Sequence, residues 1–295
     1  MIEIHALKNG HTLYNTLREL VEGDTTDINI IGLDDPLLGM NIDYYRSNHL
    51  YSKPFFLYLE EISTFTNPDI LKHANFRGFI SHIKSACCQL YTEYGCKVYY
   101  LPLSSSDKNI PKINNHIKTL GSRPVNLIAW GSWNDVNDHN FLNRGGAAVD
   151  SIVTKLLEGG SNITLTIKTN KPLVCKERYS DKVNVIHDYL PQVDMESLYY
   201  QSDLFLLPSK QVHSASLVNA MSFGIPCIVS NGWGMDEYCN GINSFNINDF
   251  EVIKEIINNP EELKTKRINT LAYNLLNNSR ESHRKNLNKI WESQK

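Results

Sequence analysis

The feature that most constrains this chain is alternation. Short apolar runs, each long enough for one strand, take turns with stretches whose apolar residues recur at helical spacing. In the first third, MIEIHAL (1–7), INIIGL (28–33), PFFLYLE (54–60), FRGFIS (76–81) and KVYYLPL (97–103) read as strands. Between them HTLYNTLRELVEG sets Leu13, Leu17, Leu20 and Val21 at helical spacing and stops at Gly23. The stretch ISHIKSACCQLYTEYG repeats that plan and stops at Gly95. Strand–helix–strand alternation implies a parallel sheet covered by helices on both faces, which is an α/β fold.

Residues 104–124, SSSDKNIPKINNHIKTLGSRP, interrupt the rhythm with polar residues, two prolines and a glycine. They show no clear apolar face and read as a domain boundary. A second alternating series follows: VNLIAW (125–130), NITLTIKT (162–169), VNVIHDY (183–189), DLFLLPS (203–209) and PCIVSN (226–231) are its strands. AAVDSIVTKLLEGG, MESLYYQ and ASLVNAMSFG are the helices between them, and residues 249–294 are helix-rich. The expected division is therefore an amino-terminal domain at 1–122, a second domain at 123–272, and a last helical segment at 273–295. A ligand between two such domains is expected at the carboxyl ends of the strands, where open α/β sheets bind.

Composition narrows the function classes. A chain of 295 residues suits two domains, and 41% hydrophobic with 21% charged residues suits a folded globular protein. The net charge of -3 gives no global basic field of the kind nucleic acid attracts. No stretch is long and apolar enough to span a bilayer, and MIEIHALKNGHT lacks the charged-then-apolar pattern of a signal peptide. The six cysteines form no C-x-x-C pair and read as free thiols. A cytoplasmic location is expected. The ten histidines form no H-x-x-x-H or H-E-x-x-H, so no metal site is expected. The P-loop and G-x-S-x-G signatures are absent, and no G-x-G-x-x-G follows the first strand.

Three stretches carry candidate chemistry. In FLLPSKQVHSASLVNAMSFGIPCIVS (205–230) a strand runs out at Pro208 and Ser209, and Ser214 is placed to cap a helix starting near Ala215. The free N–H groups of such a helix start, around Ser214, Ala215 and Ser216, can dock a diphosphate. An ordinary capped helix between strands is the alternative. In GSWNDVNDHNFLNRGG (131–146) a long polar loop ends at Arg144, whose planar fork can bond two phosphate oxygens. A cation sits poorly at a helix start, and an anion beside it would relieve the conflict. In NGWGMDEYCNG (231–241), Gly232 and Gly234 permit tight turns, and Glu237 can accept hydrogen bonds from sugar hydroxyls or serve only as an N-terminal helix acid. Glu60 and Glu61 end a strand and are candidates for acid, base or sugar ligand, or a solvated strand end.

Taken in order, these pieces resemble the donor domain of the retaining GT-B-fold glycosyltransferases, the glycosyl transferases group 1 or family 4-like enzymes. LYYQSDLFLLPS (198–209) is similar to the family's segment of an Asp, an apolar strand and Pro-Ser. SLVNAMSFGIPCIVS is similar to its E-A-M-x-x-G-x-P-V helix and strand, and GWGMDEYCNGINSF to its glycine turn. The resemblance implies two Rossmann-like α/β/α domains facing across a cleft. It also implies transfer of a sugar from a nucleotide-sugar donor, such as a UDP- or GDP-sugar, with retention and without metal or other cofactor. Arg144 then stands where the family binds the donor diphosphate, with Ser132, Ser214, Ala215 and Ser216 beside it. Tyr189, Leu190 and Asn219 fall at nucleoside and ribose positions, and His213, Gly234, Met235 and Glu237 at sugar positions. The family's E-x7-E motif falls on Gln211 and Asn219, neither of them acidic. Gln211 joins Glu60 and Glu61 among the catalytic candidates, with His73 and His82 in reserve. The acceptor stays open among a glycan, a lipid-linked sugar, a protein and modified nucleic acid. A non-catalytic sugar-nucleotide-binding or assembly subunit is the alternative function.

Overall fold

The computed structural model describes residues 2–5, 28–32, 51–59, 68–105, 109–130, 143–187, 190–212 and 214–293. The chain divides into two compact units, one formed by Met1–Ser106 with Asn277–Lys295 and the other by Asp107–Leu276. The division falls ahead of the boundary expected at 122/123. The last helical segment belongs to the first unit.

The first unit holds a parallel sheet in sequential order, β1 (Ile2–His5), β2 (Ile28–Gly32), β3 (Phe55–Tyr58), β4 (Phe76–Ser81) and β5 (Val98–Tyr100). All five lie within the apolar runs read as strands. The expected helix after the first strand, 11–23, lies outside the described residues. Helix α1 (Lys84–Tyr94) joins β4 to β5 and ends on Gly95 in the left-handed region, φ 63°. Phe55, Leu57, Phe79 and Leu90 form its core, with Phe76 and Val98 packed against it. The carboxyl-terminal helix docks here as well: Trp291 meets Phe56 at 5.4 Å between ring centroids, and His283 Nδ1 lies 2.7 Å from the Pro102 carbonyl.

The second unit opens with a helix, α2 (Ile110–Lys118), in the stretch read as a domain boundary without a clear apolar face. The division at 106/107 lies inside that stretch, but a helix forms there too, because Pro111 sits in the first turn, where a missing N–H costs nothing. Asn109 caps the helix by accepting from Lys112 N at 3.1 Å. Ile113 and Ile117, four residues apart, pack against Leu271. The helix therefore does have an apolar face.

A six-stranded parallel sheet follows, in the order β11-β10-β9-β6-β7-β8. Its strands are β6 (Val125–Trp130), β7 (Ile163–Lys168), β8 (Val183–Ile186), β9 (Leu204–Leu207), β10 (Cys227–Val229) and β11 (Ser244–Asn246). The helices are α3 (Gly146–Glu158), α4 (Val174–Arg178), α5 (Gln192–Gln201), α6 (Ser214–Ser222), α7 (Phe250–Asn258) and α8 (Pro260–Asn277), and α9 (Arg280–Glu292) ends the chain. Alternate residues of the central strands, such as Leu127 and Ala129, Leu165 and Ile167, Leu204 and Leu206, face one core with Val149, Val153 and Leu156 of α3 and Ile253, Ile256 and Ile257 of α7. On the other face Phe205 meets Tyr199 of α5. Covering on both faces explains the continuous apolar runs. Counted from β6, the sheet has the doubly wound order of dinucleotide-binding folds, reversing between β6 and β9. Ligands bind such sheets in the crevice at the carboxyl ends of the strands flanking that reversal.

Candidate functional site

Described loops leave the carboxyl ends of β9 and β10, and β6 lies beside β9 in the second sheet. The loop after β9 is held from both sides. On one side Lys210 N donates to the Asn143 carbonyl at 3.1 Å. There Gly145 adopts φ +76°, and a Cβ on it would lie 2.1 Å from the Pro208 carbonyl oxygen. Only glycine permits this approach. On the other side Trp233 N donates to the Lys210 carbonyl at 2.9 Å and Val212 N to the Trp233 carbonyl at 2.8 Å. A Cβ at Gly232 would lie 2.5 Å from the Ser209 carbonyl oxygen. Ser209, fully buried, closes the loop internally by donating its hydroxyl to the Gln211 carbonyl at 2.5 Å, and the Ser230 hydroxyl donates to the Ser209 carbonyl.

This clasp delivers the chain into α6 at the point of sheet reversal. The helix starts at Ser214 itself, one residue before the expected start, so Ser214 is the first helical residue rather than the cap. Ala215 and Ser216 follow in the first turn, which contains no acidic or basic side chain. Its amides have no intrahelical acceptors, and the helix dipole places partial positive charge there. Asn219, half-buried, lies on the same helix.

Arg144 sits in the turn before Gly145. Its Nε is sealed from solvent with no hydrogen-bond partner. Burial pushes its guanidinium below the usual range, with Tyr199 opposing the shift, and no carboxylate among the described residues pairs with it. A cation in this setting favours an anionic ligand.

The remaining sequence candidates divide into several groups. Gln211 is exposed and bridges backbone to backbone with Trp233. Gly234, φ 70°, opens a single 3-10 turn over Met235–Glu237, so Glu237 ends that turn rather than starting a helix. Met235 is buried, and its N–H donates to the Gly232 carbonyl at 3.1 Å. Leu190 is half-buried just ahead of α5. Glu60, Glu61, Ser132, Tyr189 and His213 lie outside the described residues, as does the Ser214 side chain. In the first unit His82 follows β4 at the carboxyl edge of its sheet, 2.6 Å from the Tyr58 hydroxyl through Nδ1 and stacked on that ring. His73 precedes β4, at the opposite edge, packed against Tyr51 and Phe55. Among the described residues no three His, Cys, Asp or Glu side chains gather closely enough to hold a metal ion, and no helix is long and apolar enough to cross a membrane.

Sequence reasoning missed a buried ion cluster at the amino end of β9. Asp203 is wholly buried and accepts from Arg123 Nη1 at 2.6 Å, Arg123 Nη2 at 2.9 Å, Asn126 N at 2.9 Å and Arg267 Nη1. His116 Nε2 lies 3.2 Å away. Burial alone would raise the Asp203 pKa, but Arg123, His116 and Arg267 outweigh it and hold the carboxyl well below the usual range. Burial lowers Arg267 to about 10 against the opposing pull of Asp203, so both stay charged at neutral pH. Only Asp203 had a sequence signal, as the acid before an apolar strand.

Residues 147–263 match a family model described as Glycosyl transferases group 1. No curated protein matches the chain in sequence. The structure is similar to that of a TarM mutant from S. aureus in complex with Fondaparinux, alpha-GlcNAc-glycerol and UDP, at TM-score 0.61 and 11% identity over 89% of this chain and 55% of that one. It is similar to the pneumococcal O-GlcNAc transferase GtfA in complex with UDP and GlcNAc, at TM-score 0.63 and 10% identity over 94% of this chain and 59% of that one. Anabaena Alr3699/HepE in complex with UDP and glucose aligns at TM-score 0.61 and 13% identity over 97% of this chain and 84% of that one. The chain thus spans little more than half of TarM and GtfA. The two parallel sheets with their helices have the fold of GT-B glycosyltransferases.

Proposed function

We propose that this chain is a glycosyltransferase that moves a sugar from a nucleotide-sugar donor to an acceptor hydroxyl or equivalent nucleophile. One observation carries the reading. Arg144, with a sealed and unpartnered Nε, stands at the sheet reversal where the clasped loop feeds the amino end of α6. That combination suits a diphosphate, and the family match over 147–263 and the UDP complexes of similarly folded proteins support the choice.

In this reading the bond from the sugar's anomeric carbon to the diphosphate oxygen breaks, and its electron pair leaves with the diphosphate. The acceptor oxygen bonds that carbon and passes its proton to a carboxylate base, for which Glu60 and Glu61 are the candidates. Arg144 and the amides at Ser214 to Ser216 meet the charge growing on the leaving group, the role a metal ion would otherwise fill. Asn219 and Leu190, with Tyr189, take the nucleoside. Glu237, with Gly234, Met235 and His213, takes the sugar. Glu60, Glu61 and Gln211 are the candidates beside the reacting centre, and Ser132 joins the phosphate ligands. Retention of configuration and a cytoplasmic setting belong to the same proposal, with a glycan, lipid-linked sugar, protein or modified nucleic acid as acceptor.

Calorimetric titration with UDP-, GDP- and ADP-sugars tests the reading, together with release of nucleoside diphosphate in the absence of acceptor. Failure of every donor to bind would sink it. The amides at Gln211 and Asn219 favour a second reading, a sugar-nucleotide-binding or assembly subunit without turnover. Donor binding with no transfer over a broad acceptor panel, and co-purification with a catalytic partner, would select it.

A further inference from the structure

We infer that Arg267 is a positioning residue for the anion site at the amino end of α6, acting from that helix's opposite end. The inference rests on the donor reading above. Arg267 is 1% exposed and projects from α8. Its Nε donates to the Gly224 carbonyl at 3.0 Å and its Nη2 to the Phe223 carbonyl at 3.2 Å, while Nη1 donates to Asp203. One guanidinium thus satisfies carbonyls left over where α6 ends and fastens them to the carboxylate from which β9 starts.

The β9–loop–α6 segment starts and ends at one joint. That joint, Asp203 with Phe223 and Gly224, is closed by Arg267. The anion site lies at the other end of α6, with the amides that open the helix. Gly224 at φ +65° lies tight against this joint, since a Cβ there would be 3.1 Å from the Arg267 carbonyl oxygen and 3.3 Å from Leu271 Cβ. A nine-residue helix is about 13 Å long, so a tilt of about 5° at its far end moves the amino-terminal N–H groups by about 1 Å. Displacement on that scale can cost a reacting group about a hundredfold in rate, and it shifts the donors a bound diphosphate would meet.

Asp203 supplies a control within the same cluster. Arg123 binds both its oxygens yet makes no hydrogen bond to α6; its other partners are Thr119, Pro124 and His116. Losing Arg123 therefore weakens the cluster without unfastening the helix. A merely structural cluster would treat the two arginines alike.

The test compares Arg267→Lys with Arg123→Gln in the full chain. Urea unfolding measures the stability each loses, and calorimetry measures UDP affinity under conditions where both are folded. The expected result is about tenfold weaker UDP binding for Arg267→Lys, since one ammonium cannot reach three acceptors in the guanidinium's geometry, and less than about threefold for Arg123→Gln. If Arg267→Lys does not fold, Gly224→Ala disturbs the same joint from the α6 side and is expected to give the same contrast. Equal loss of affinity at both arginines, or unchanged affinity with the joint disturbed, overturns the inference. Absence of UDP binding to the unaltered protein overturns the donor reading and this inference with it, a result distinct from equal losses.

Discussion

Replacing Arg144 with methionine separates affinity from stability, and the two are expected to move in opposite directions. Among the described residues no carboxylate pairs with the cation, its Nε is sealed and unpartnered, and burial lowers its pKa. A buried unsatisfied donor costs about 1–3 kcal/mol. Methionine keeps the length and the apolar stem while removing that donor. Arg144→Met should therefore unfold at higher urea, by the equivalent of about 1 kcal/mol, or about 2–4 °C in a unit of this size. The same change removes charge-assisted hydrogen bonds to phosphate worth about 1.5–3 kcal/mol, a loss in UDP affinity of about tenfold to a hundredfold. Equilibrium urea unfolding and calorimetric titration with UDP measure the two effects on one preparation. A variant that loses stability and keeps its UDP affinity would show that Arg144 is a structural residue and refute the reasoning.

Gly145→Ala should lose about 2–4 kcal/mol, from left-handed strain and displacement of the Pro208 carbonyl, and should also weaken UDP binding; thermal melts and titration check both. His283 is buried and its pKa is lowered to about 4 by burial, against the favourable Pro102 carbonyl. The unfolded chain therefore gains a proton near pH 6.5 that the folded chain refuses until about pH 4. Stability should fall by about 2 kcal/mol between pH 7 and pH 5 from this group alone, and His283→Leu should remove that slope in unfolding curves. Asp203 also loses stability toward acid, but as a charged group: its lowered pKa contributes stability that is full above the unfolded value near pH 4 and disappears as pH falls further. Asp203→Asn should cost about 3–5 kcal/mol at pH 7, by leaving the buried Arg267 and the half-buried Arg123 without their carboxylate, and its deficit should shrink in unfolding measured below pH 4.

Strands such as Phe55–Tyr58 and Leu204–Leu207 were legible because their apolar runs are buried on both faces, and Ile163–Lys168 because its buried and half-buried residues alternate. Ser244–Asn246 was not, since a three-residue strand with one apolar side chain has no pattern to detect. Helix α2 was overlooked for its prolines, although Ile113 and Ile117 already stood at helical spacing. In the candidate site, Arg144, Gly145 and the helix start at 214–216 could be read locally, because each belongs to a short segment with its own chain geometry. The Arg267–Asp203 contact could not: its partners are 64 positions apart, and nothing near either residue names the other. The clasp on the loop after β9 was half legible, for the glycines at 145 and 232 were visible but the carbonyls they make room for were not.

The order of the two units along the chain has a consequence for synthesis. Asp107–Leu276 is continuous, whereas its companion is assembled from Met1–Ser106 and Asn277–Lys295. A nascent chain emerging from the ribosome therefore has everything needed for the middle unit before the outer one has its last helix. Leu287, Ile290 and Trp291, buried in the finished protein, arrive only after the middle unit is complete. The unit begun first is completed last, and until then the side of its sheet that carries Phe56 waits for Trp291.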